Sequence, residues 1–400
     1  MPLHPLHRAW RLLPPTQRRY LFAHGTALLA PKPDSPPPLA QSGVGVLGEL
    51  SRPTGLGEGA RLMRRALDTL GIPNWGLDVG DRLPGGNLGR LPLEIPPRGV
   101  PLVLHENPPS LPWALLRLPR HLIRGRHIVG YWAWELPVVP EIWRLGLRFV
   151  HSVWVPSHFT ANAIRPILPP GMPLHIVPHP VAAAPPTPSH LTRADFGLPD
   201  NAVITLVSAS MASSFVRKNP IAAIAAFKAA FGTRPDRLLL LRLGHADHFP
   251  ADLATILAAI AGAPNIRIDS RPLPPADRDA LTACADIVLS LHRSEGFGLV
   301  PAEAMILGIP VIATGWSGNM DFMDASSAAL VDFKLVPATD PRGVLAAPGA
   351  VWAEPSVVSA AAHLRQLADS ADARIALGLK GKAYASKRLG SEALRQALLF

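Results

Sequence analysis

The feature that most constrains this chain is an alternation, through its second half, of short unbroken apolar runs with segments of helical spacing. The runs are A-V-I-T-L-V-S at 202–208, then 238–243, 266–269, 287–291 and 311–313. A strand with no polar alternation must be covered on both faces, as strands are in parallel sheets flanked by helices. Between the runs, Asn219-Pro220 starts a helix carrying Ile221, Ile224, Phe227 and Phe231. P-A-D-R-D-A-L-T-A-C at 275–284 and L-V-P-A-E-A-M-I-L at 299–307 read as further helices, the latter stopped by Gly308. The pattern predicts a doubly wound α/β sheet, whose ligands bind beyond the C-terminal ends of the strands.

The first half repeats the theme. A buried strand is expected over 44–50, then the loop P-T-G-L-G-E-G at 53–59, then a helix with Leu62, Met63, Ala66, Leu67 and Leu70 on one face and Gly71 with Pro73 as stop. Later β-like runs end at Val79, Leu104, Tyr131 and Val155, and H-I-V-P-H-P-V at 175–181 closes this half. A length of 400 residues with 48% hydrophobic content exceeds one ordinary domain. Two Rossmann-like domains facing a cleft are therefore expected, over 41–181 and 193–380, joined by a Pro-rich linker at 182–192. Residues 1–40 form a basic, Pro-rich extension, and 381–400 a C-terminal helix that packs back on the first domain.

Composition excludes several classes. Cys284 is the single cysteine, so neither a disulfide framework nor a cysteine metal cluster is available, and a reducing cytoplasm is the expected setting. Charges and prolines interrupt every N-terminal apolar stretch before signal-peptide length, and no run reaches about eighteen apolar residues, so no membrane span is expected. The net charge of +10 suits an anionic partner. No zinc-finger spacing or basic-aromatic stripe accompanies it, which argues against nucleic acid. The cluster Arg8, Trp10, Arg11, Arg18, Arg19, Tyr20 and Phe22 has two readings: a peripheral contact with the inner face of the cytoplasmic membrane, or a short helix docked on the body. The tract P-D-S-P-P-P at 33–38 reads as an extended linker.

Chemistry concentrates after the strand 287–291, in H-R-S-E-G-F-G and the helix that follows. Gly296 and Gly298 let backbone amides approach a ligand at a helix N-terminus. Glu295 and Glu303 are placed to border one strand-end cleft, where each carboxylate accepts hydrogen bonds from vicinal sugar hydroxyls. His105, Glu106 and Asn107 follow one first-half strand, and Tyr131, Trp132, Trp134 and Glu135 follow the next. Aromatic faces beside carboxylates suit sugars and equally make ordinary cores, so both readings stand for Trp132 and Trp134. Asp277-x-Asp279 has the spacing of a metal-holding acid pair, but it begins a predicted helix, where acids favour the dipole. No metal is expected.

S-L-H-R-S-E-G-F-G-L-V-P-A-E-A-M at 290–305 resembles the acidic motif of glycosyltransferase family four. The likeness continues through G-I-P-V-I-A-T-G-W-S-G-N-M-D-F-M at 308–323 and F-V-R-K-N-P at 215–220. G-L-G-E-G-A-R at 55–61 and Y-W-A-W-E-L-P at 131–137 resemble segments of a bacterial branch of that family. The resemblance implies the two-domain B-type glycosyltransferase fold, a nucleotide-diphosphate sugar as co-substrate with no other cofactor, and retention of anomeric configuration. It assigns Arg217 and Lys218 to the donor diphosphate and its departure. It gives Glu295, Gly296, Phe297, Gly298 and Leu299 to sugar and phosphates, Glu303 to the ribose, and Gly55 and Gly57 to a loop over the diphosphate. His105 becomes the candidate near the anomeric centre, and Asn107, Trp132, Trp134 and Glu135 candidates for the acceptor, a glycan or lipid-linked glycan of surface-polysaccharide assembly. A hexosyl group, mannosyl or glucosyl, is the expected cargo. The rival reading is a protein of the same fold that binds sugar nucleotides or glycans without transferring anything.

Overall fold

A computed structural model of the protein describes residues 12–80 and 94–399. Arg8, Trp10 and Arg11 of the N-terminal basic cluster lie outside the described residues. Two parallel six-stranded sheets form the body. The first has β1 (Val44–Gly48), β2 (Asn74–Asp78), β3 (Leu102–Leu104), β4 (Ile128–Tyr131), β5 (Ser152–Val155) and β6 (Leu174–Ile176), in the order β2-β1-β3-β4-β5-β6. The second has β7 (Val203–Ser210), β8 (Arg237–Gly244), β9 (Ile266–Asp269), β10 (Ile287–Ser290), β11 (Val311–Thr314) and β12 (Ala329–Val331), in the order β12-β11-β10-β7-β8-β9.

The apolar runs are covered on both faces, as their unbroken hydrophobicity requires. In the second sheet Leu206, Leu240, Val288 and Val311 pack with Ala302 and Met305 of the helix Leu299–Leu307. Leu239, Leu241, Leu289 and Ile312 face the other way, onto Phe227 and Leu364. Asn219 caps the helix Pro220–Phe231 from a left-handed backbone, its side chain accepting from the Ala222 amide.

Two features were not legible in the sequence, the helical start at Gly55 and a strand pair outside both sheets. Gly55 and Gly57 do not sit in a loop. They occupy the first turn of a helix, Gly55–Thr69, capped by Thr54, whose hydroxyl accepts from the Gly57 amide at 3.1 Å. A Cβ on Gly57 would lie 2.4 Å from the Glu49 carbonyl oxygen, so glycine is needed for close approach rather than for a turn. The strands β13 (Phe333–Pro337) and β14 (Val351–Pro355) pair antiparallel outside both sheets, and Trp352 of β14 with Leu345 and Ala350 of the segment before it joins the core of the first half. Leu394 and Ala397 of the helix Glu392–Ala397 pack with Val44, Val46 and Val129. The N-terminal segment forms a helix, Pro15–Leu29, docked on the body: Ala23 and Ala27 are buried, and Phe22 packs edge-on against Trp113 at 5.3 Å. No helix among the described residues is long and apolar enough to cross a membrane.

Candidate active site

In a doubly wound sheet the crevice opens where strand order reverses. That point in the second sheet lies between β7 and β10, and in the first between β1 and β3. The loops leaving these four strands carry most of the residues singled out above.

Beyond β7 a four-residue helix, Phe215–Lys218, is capped by the Ser214 hydroxyl and ends at Asn219 in the left-handed region. It is pinned from β10's loop: the Arg293 amide donates to the Arg217 carbonyl at 2.7 Å, and the Arg293 guanidinium donates to the Val216 carbonyl at 2.6 Å while pairing with Glu354. The Arg217 and Lys218 side chains therefore have fixed origins. Arg217 Nη1 lies 2.9 Å from Glu295 Oε2, and Lys218 Nζ lies 2.5 Å from Glu295 Oε1. Arg217 also donates to the Ser294 carbonyl at 2.8 Å and to Ser213 Oγ at 2.7 Å, and its Nη2 stands 3.7 Å from Glu135 Oε1.

These charges are largely withdrawn from water, and their protonation follows from that. Burial pushes the Glu295 carboxyl up, but Arg217 and Lys218 outweigh it and hold the group at about 2. Burial lowers Arg217, and Glu295 with Glu135 more than restores it, so its guanidinium stays charged. Lys218 is lowered by burial, with Glu295 opposing. Glu135 is raised by burial, against the pull of Arg217. Two fixed cations thus share one carboxylate counterion, Glu295, at a strand-end crevice, an arrangement whose charge and forked geometry suit contact with anionic groups.

Glu295 is held from behind, its amide donating to Ser317 Oγ at 2.9 Å and its carbonyl accepting from the Gly318 amide at 2.9 Å. Gly296 is wedged between the two halves. Its carbonyl accepts from Ser157 Oγ at 2.6 Å and Thr160 Oγ1 at 3.2 Å, and an added Cβ would stand 2.9 Å from the Trp134 carbonyl oxygen. Ser157 and Thr160 were not anticipated, since only the fold brings β5's loop to β10's. Gly298, at φ 103°, caps the helix that begins at Leu299. The Phe297 ring is buried edge-on against His179.

Glu303, four residues along that helix from Leu299, is half-buried. Its surroundings include Glu58 on the helix Gly55–Thr69, which pairs with Arg61 at 2.7 Å and approaches Arg278 of the second half at 4.0 Å. Burial raises the Glu303 carboxyl to about 8, opposed by Arg278 and reinforced by Glu58 and Asp279. Asp279 of the supposed metal pair accepts from the Thr187 amide at 3.0 Å. Among the described residues no group of three or more His, Cys, Asp or Glu is placed to hold a metal ion.

A cavity of about 940 Å³ is lined in part by Asn107, Trp134, Glu135, Ser213 and Arg217. Trp113, Trp143 and Leu145 also line it, with Phe22 and other residues of the helix Pro15–Leu29 and residues 343–346. Asn107, Trp134 and Glu135 share this lining with Arg217, but two other candidates do not reach it. Trp132 is fully buried, packed edge-on against Trp143 at 6.1 Å, and has no face for a sugar. His105 is fully buried too, stacked on Tyr131 at 4.3 Å with Nε2 3.4 Å from the Met63 sulfur, and burial holds its imidazole well below the ordinary value. The resemblance put His105 near the anomeric centre, but at the end of β3 its ring turns into the core instead. Asn107 serves mainly as a clamp, donating to the Ala133 carbonyl at 2.9 Å and accepting from the Ala133 amide at 3.1 Å.

A family model described as family 4 glycosyltransferase in conflict systems matches residues 158–378, more than half the chain. No curated protein matches it. Among solved structures, sucrose-phosphate synthase from Thermosynechococcus elongatus is similar over 90% of this chain and 98% of its own, at 16% identity and a TM-score of 0.61. A glycosyltransferase from Rickettsia africae ESF-5 matches over 90% and 97% of the two chains at 13% identity and a TM-score of 0.60. Anabaena HepE, solved in complex with UDP-glucose, matches over 90% and 100% at 14% identity and a TM-score of 0.60. At these identities the likeness speaks for the fold alone, two Rossmann-like domains of the B type. The family match adds the activity, and the chain belongs to the family-four glycosyltransferases.

Proposed function

We propose that this glycosyltransferase moves a hexosyl group from a nucleotide-diphosphate sugar to an acceptor hydroxyl with retention of configuration. The observation that carries this reading is the pair Arg217 and Lys218, both locked on Glu295 at the reversal point of the second sheet. In this reading the diphosphate takes the two cations. Glu295, released from them in part, accepts from the sugar hydroxyls, with the backbone of Gly296, Phe297 and Gly298 and the neighbouring Leu299 shaping the pocket. Glu303 accepts from the ribose across from Glu58, and Gly55 and Gly57 give the first half's helix N-terminus its close approach to the phosphates.

The acceptor oxygen bonds to the anomeric carbon on the face from which the diphosphate oxygen departs. The bond to that oxygen breaks, the electron pair stays on the nucleotide diphosphate, and the acceptor proton passes to the leaving phosphate. Arg217 and Lys218 stabilise the charge that develops there. His105 takes no part in this scheme, because its ring is sealed from the cleft.

UDP is the nucleotide we favour, since HepE of similar fold was solved with UDP-glucose. We further propose that the first half holds the acceptor and the second the donor, that the acceptor belongs to surface-polysaccharide assembly at the inner membrane face, and that neither metal nor cofactor is required. A thermal-shift and sugar-release screen against UDP-, GDP- and ADP-sugars tests the reading. Stabilisation and hydrolysis with one nucleotide class are expected, and no response to any class would overturn it.

A further inference from the structure

The helix Phe215–Lys218 carries both donor cations, yet it is one turn long. So short a helix has little stability of its own, and its last carbonyls have no partner within it. The Arg217 amide donates to Ser214 Oγ at 3.3 Å, and the Asn219 amide donates to the Phe215 carbonyl at 3.0 Å. The carbonyls of Val216 and Arg217 remain, and one residue meets both. The Arg293 amide donates to the Arg217 carbonyl at 2.7 Å, and Arg293 Nη1 donates to the Val216 carbonyl at 2.6 Å.

Arg293 is itself fixed by the strand pair that stands outside both sheets. Glu354 of β14 accepts from its Nε at 2.6 Å and from its Nη2 at 3.1 Å, which leaves Nη1 to reach Val216. The Ala353 amide donates to the Arg293 carbonyl at 2.9 Å, and the guanidinium carbon lies 5.7 Å from the centroid of the Trp352 ring. Trp352 is buried in the core of the first half. Contacts thus run from that core through β14 and Arg293 to the turn that holds the cations. Glu354 also neutralises Arg293, so a third cation stands beside this turn without drawing Glu295 from Arg217 and Lys218.

We infer that Arg293 is a positioning residue for sugar transfer: held by β14, it closes the turn Phe215–Lys218 so that Arg217 and Lys218 stand at the diphosphate, and it ties that turn to the first half. The inference rests on the donor reading above. The Arg293 guanidinium is committed to Glu354 and Val216, so it acts through the two cations and not on the ligand.

The test combines calorimetric titration of the full chain with UDP, GDP and ADP and peptide-level hydrogen exchange over residues 213–220, for wild type, Arg293→Ala, Arg293→Lys and a matched control, Arg193→Ala. Arg193 makes a similar set of contacts at the opposite end of β10, pairing with Asp286 at 2.7 Å and donating to the Cys284 carbonyl at 3.0 Å. A turn that keeps its binding geometry about one tenth of the time binds about tenfold more weakly, and that loss of nucleotide affinity is expected for Arg293→Ala, with faster exchange over 213–220. Arg293→Lys keeps the charge but lacks the fork that spans Glu354 and Val216, and only part of the loss is expected to return. Arg193→Ala is expected to melt lower while keeping wild-type nucleotide affinity and exchange over 213–220. Where Arg293→Ala does not fold, Glu354→Gln is read in the same way. Wild-type affinity in a folded Arg293→Ala protein, or an equal loss in Arg193→Ala, would overturn the inference. If wild type binds none of the three nucleotides, the donor reading falls and exchange alone decides. Faster exchange over 213–220 confined to the Arg293 variants then supports the positioning, and unchanged exchange overturns it.

Discussion

Replacing Glu295 by Gln removes one negative charge from between two cations that are already withdrawn from water. In the wild type its two oxygens lie 2.9 Å from Arg217 and 2.5 Å from Lys218, and the Arg217 side chain is only 4% exposed. Removing one partner of a buried pair costs about 3–5 kcal/mol, because a buried charge is left uncompensated. Two features reduce that figure: the Lys218 side chain is 22% exposed, and Glu135 stands 3.7 Å from Arg217 as a substitute counterion. A loss of about 2–4 kcal/mol is expected, which for a domain of this size lowers the melting temperature by roughly 5–15 °C. The sign with pH is definite. Glu295 titrates at about 2, below its ordinary 4.5, so its contribution is present above pH 4.5 and fades as pH falls toward 2. The difference between wild type and variant should therefore persist at neutral pH and shrink in acid. Differential scanning fluorimetry with and without UDP or inorganic pyrophosphate reads both effects. A diphosphate should stabilise Glu295→Gln more than wild type, since it supplies the missing anion, whereas sugar transfer should fall. Equal melting temperatures, or a larger diphosphate shift in the wild type, would refute the reasoning.

Other substitutions follow from the same geometry. Gly296→Ala places a Cβ 2.9 Å from the Trp134 carbonyl oxygen, and a loss of about 1–3 kcal/mol with faster proteolysis between the halves is expected in melting and limited-digestion experiments. Glu303→Gln removes a carboxyl that titrates at about 8 instead of 4.5, so the wild-type folded state favours its protonated form and loses that advantage as pH rises from 4.5 through 8. The variant should match wild type near pH 4.5 and exceed it by ~1–2 kcal/mol at pH 9 after solvent screening, while binding UDP less tightly; denaturant unfolding at the two pH values checks the first part and calorimetry the second. Turnover in excess EDTA should be unchanged, and activity lost to EDTA and restored by manganese would contradict the reliance on Arg217 and Lys218.

The second half was legible because its information is local. Unbroken strands, the Asn219-Pro220 cap and the G-F-G turn before a helix each declare themselves within a few residues, and the structure places all three as read. What could not be read depends on tertiary placement. Trp132 and Trp134 are two residues apart, yet one is sealed in the core and the other borders the cavity, a distinction set by how the loop after β4 is clamped by Asn107. His105 follows β3, but Met63 and Tyr131 enclose it. The Gly55 to Gly59 stretch has the composition of a loop, and only the hydrogen bond from the Gly57 amide to Thr54 reveals a helix start. Phe22 and Trp113 meet across 91 residues of sequence, which no periodicity reports.

The central claim is that Arg217 and Lys218 hold a nucleotide diphosphate. Isothermal titration of UDP into wild type, Arg217→Ala and Lys218→Ala tests it most directly. Saturable binding to wild type, weakened by at least about tenfold in each variant, is the expected result, as a charge-assisted contact contributes about 1.5–3 kcal/mol. Wild-type affinity in two folded variants would contradict the account.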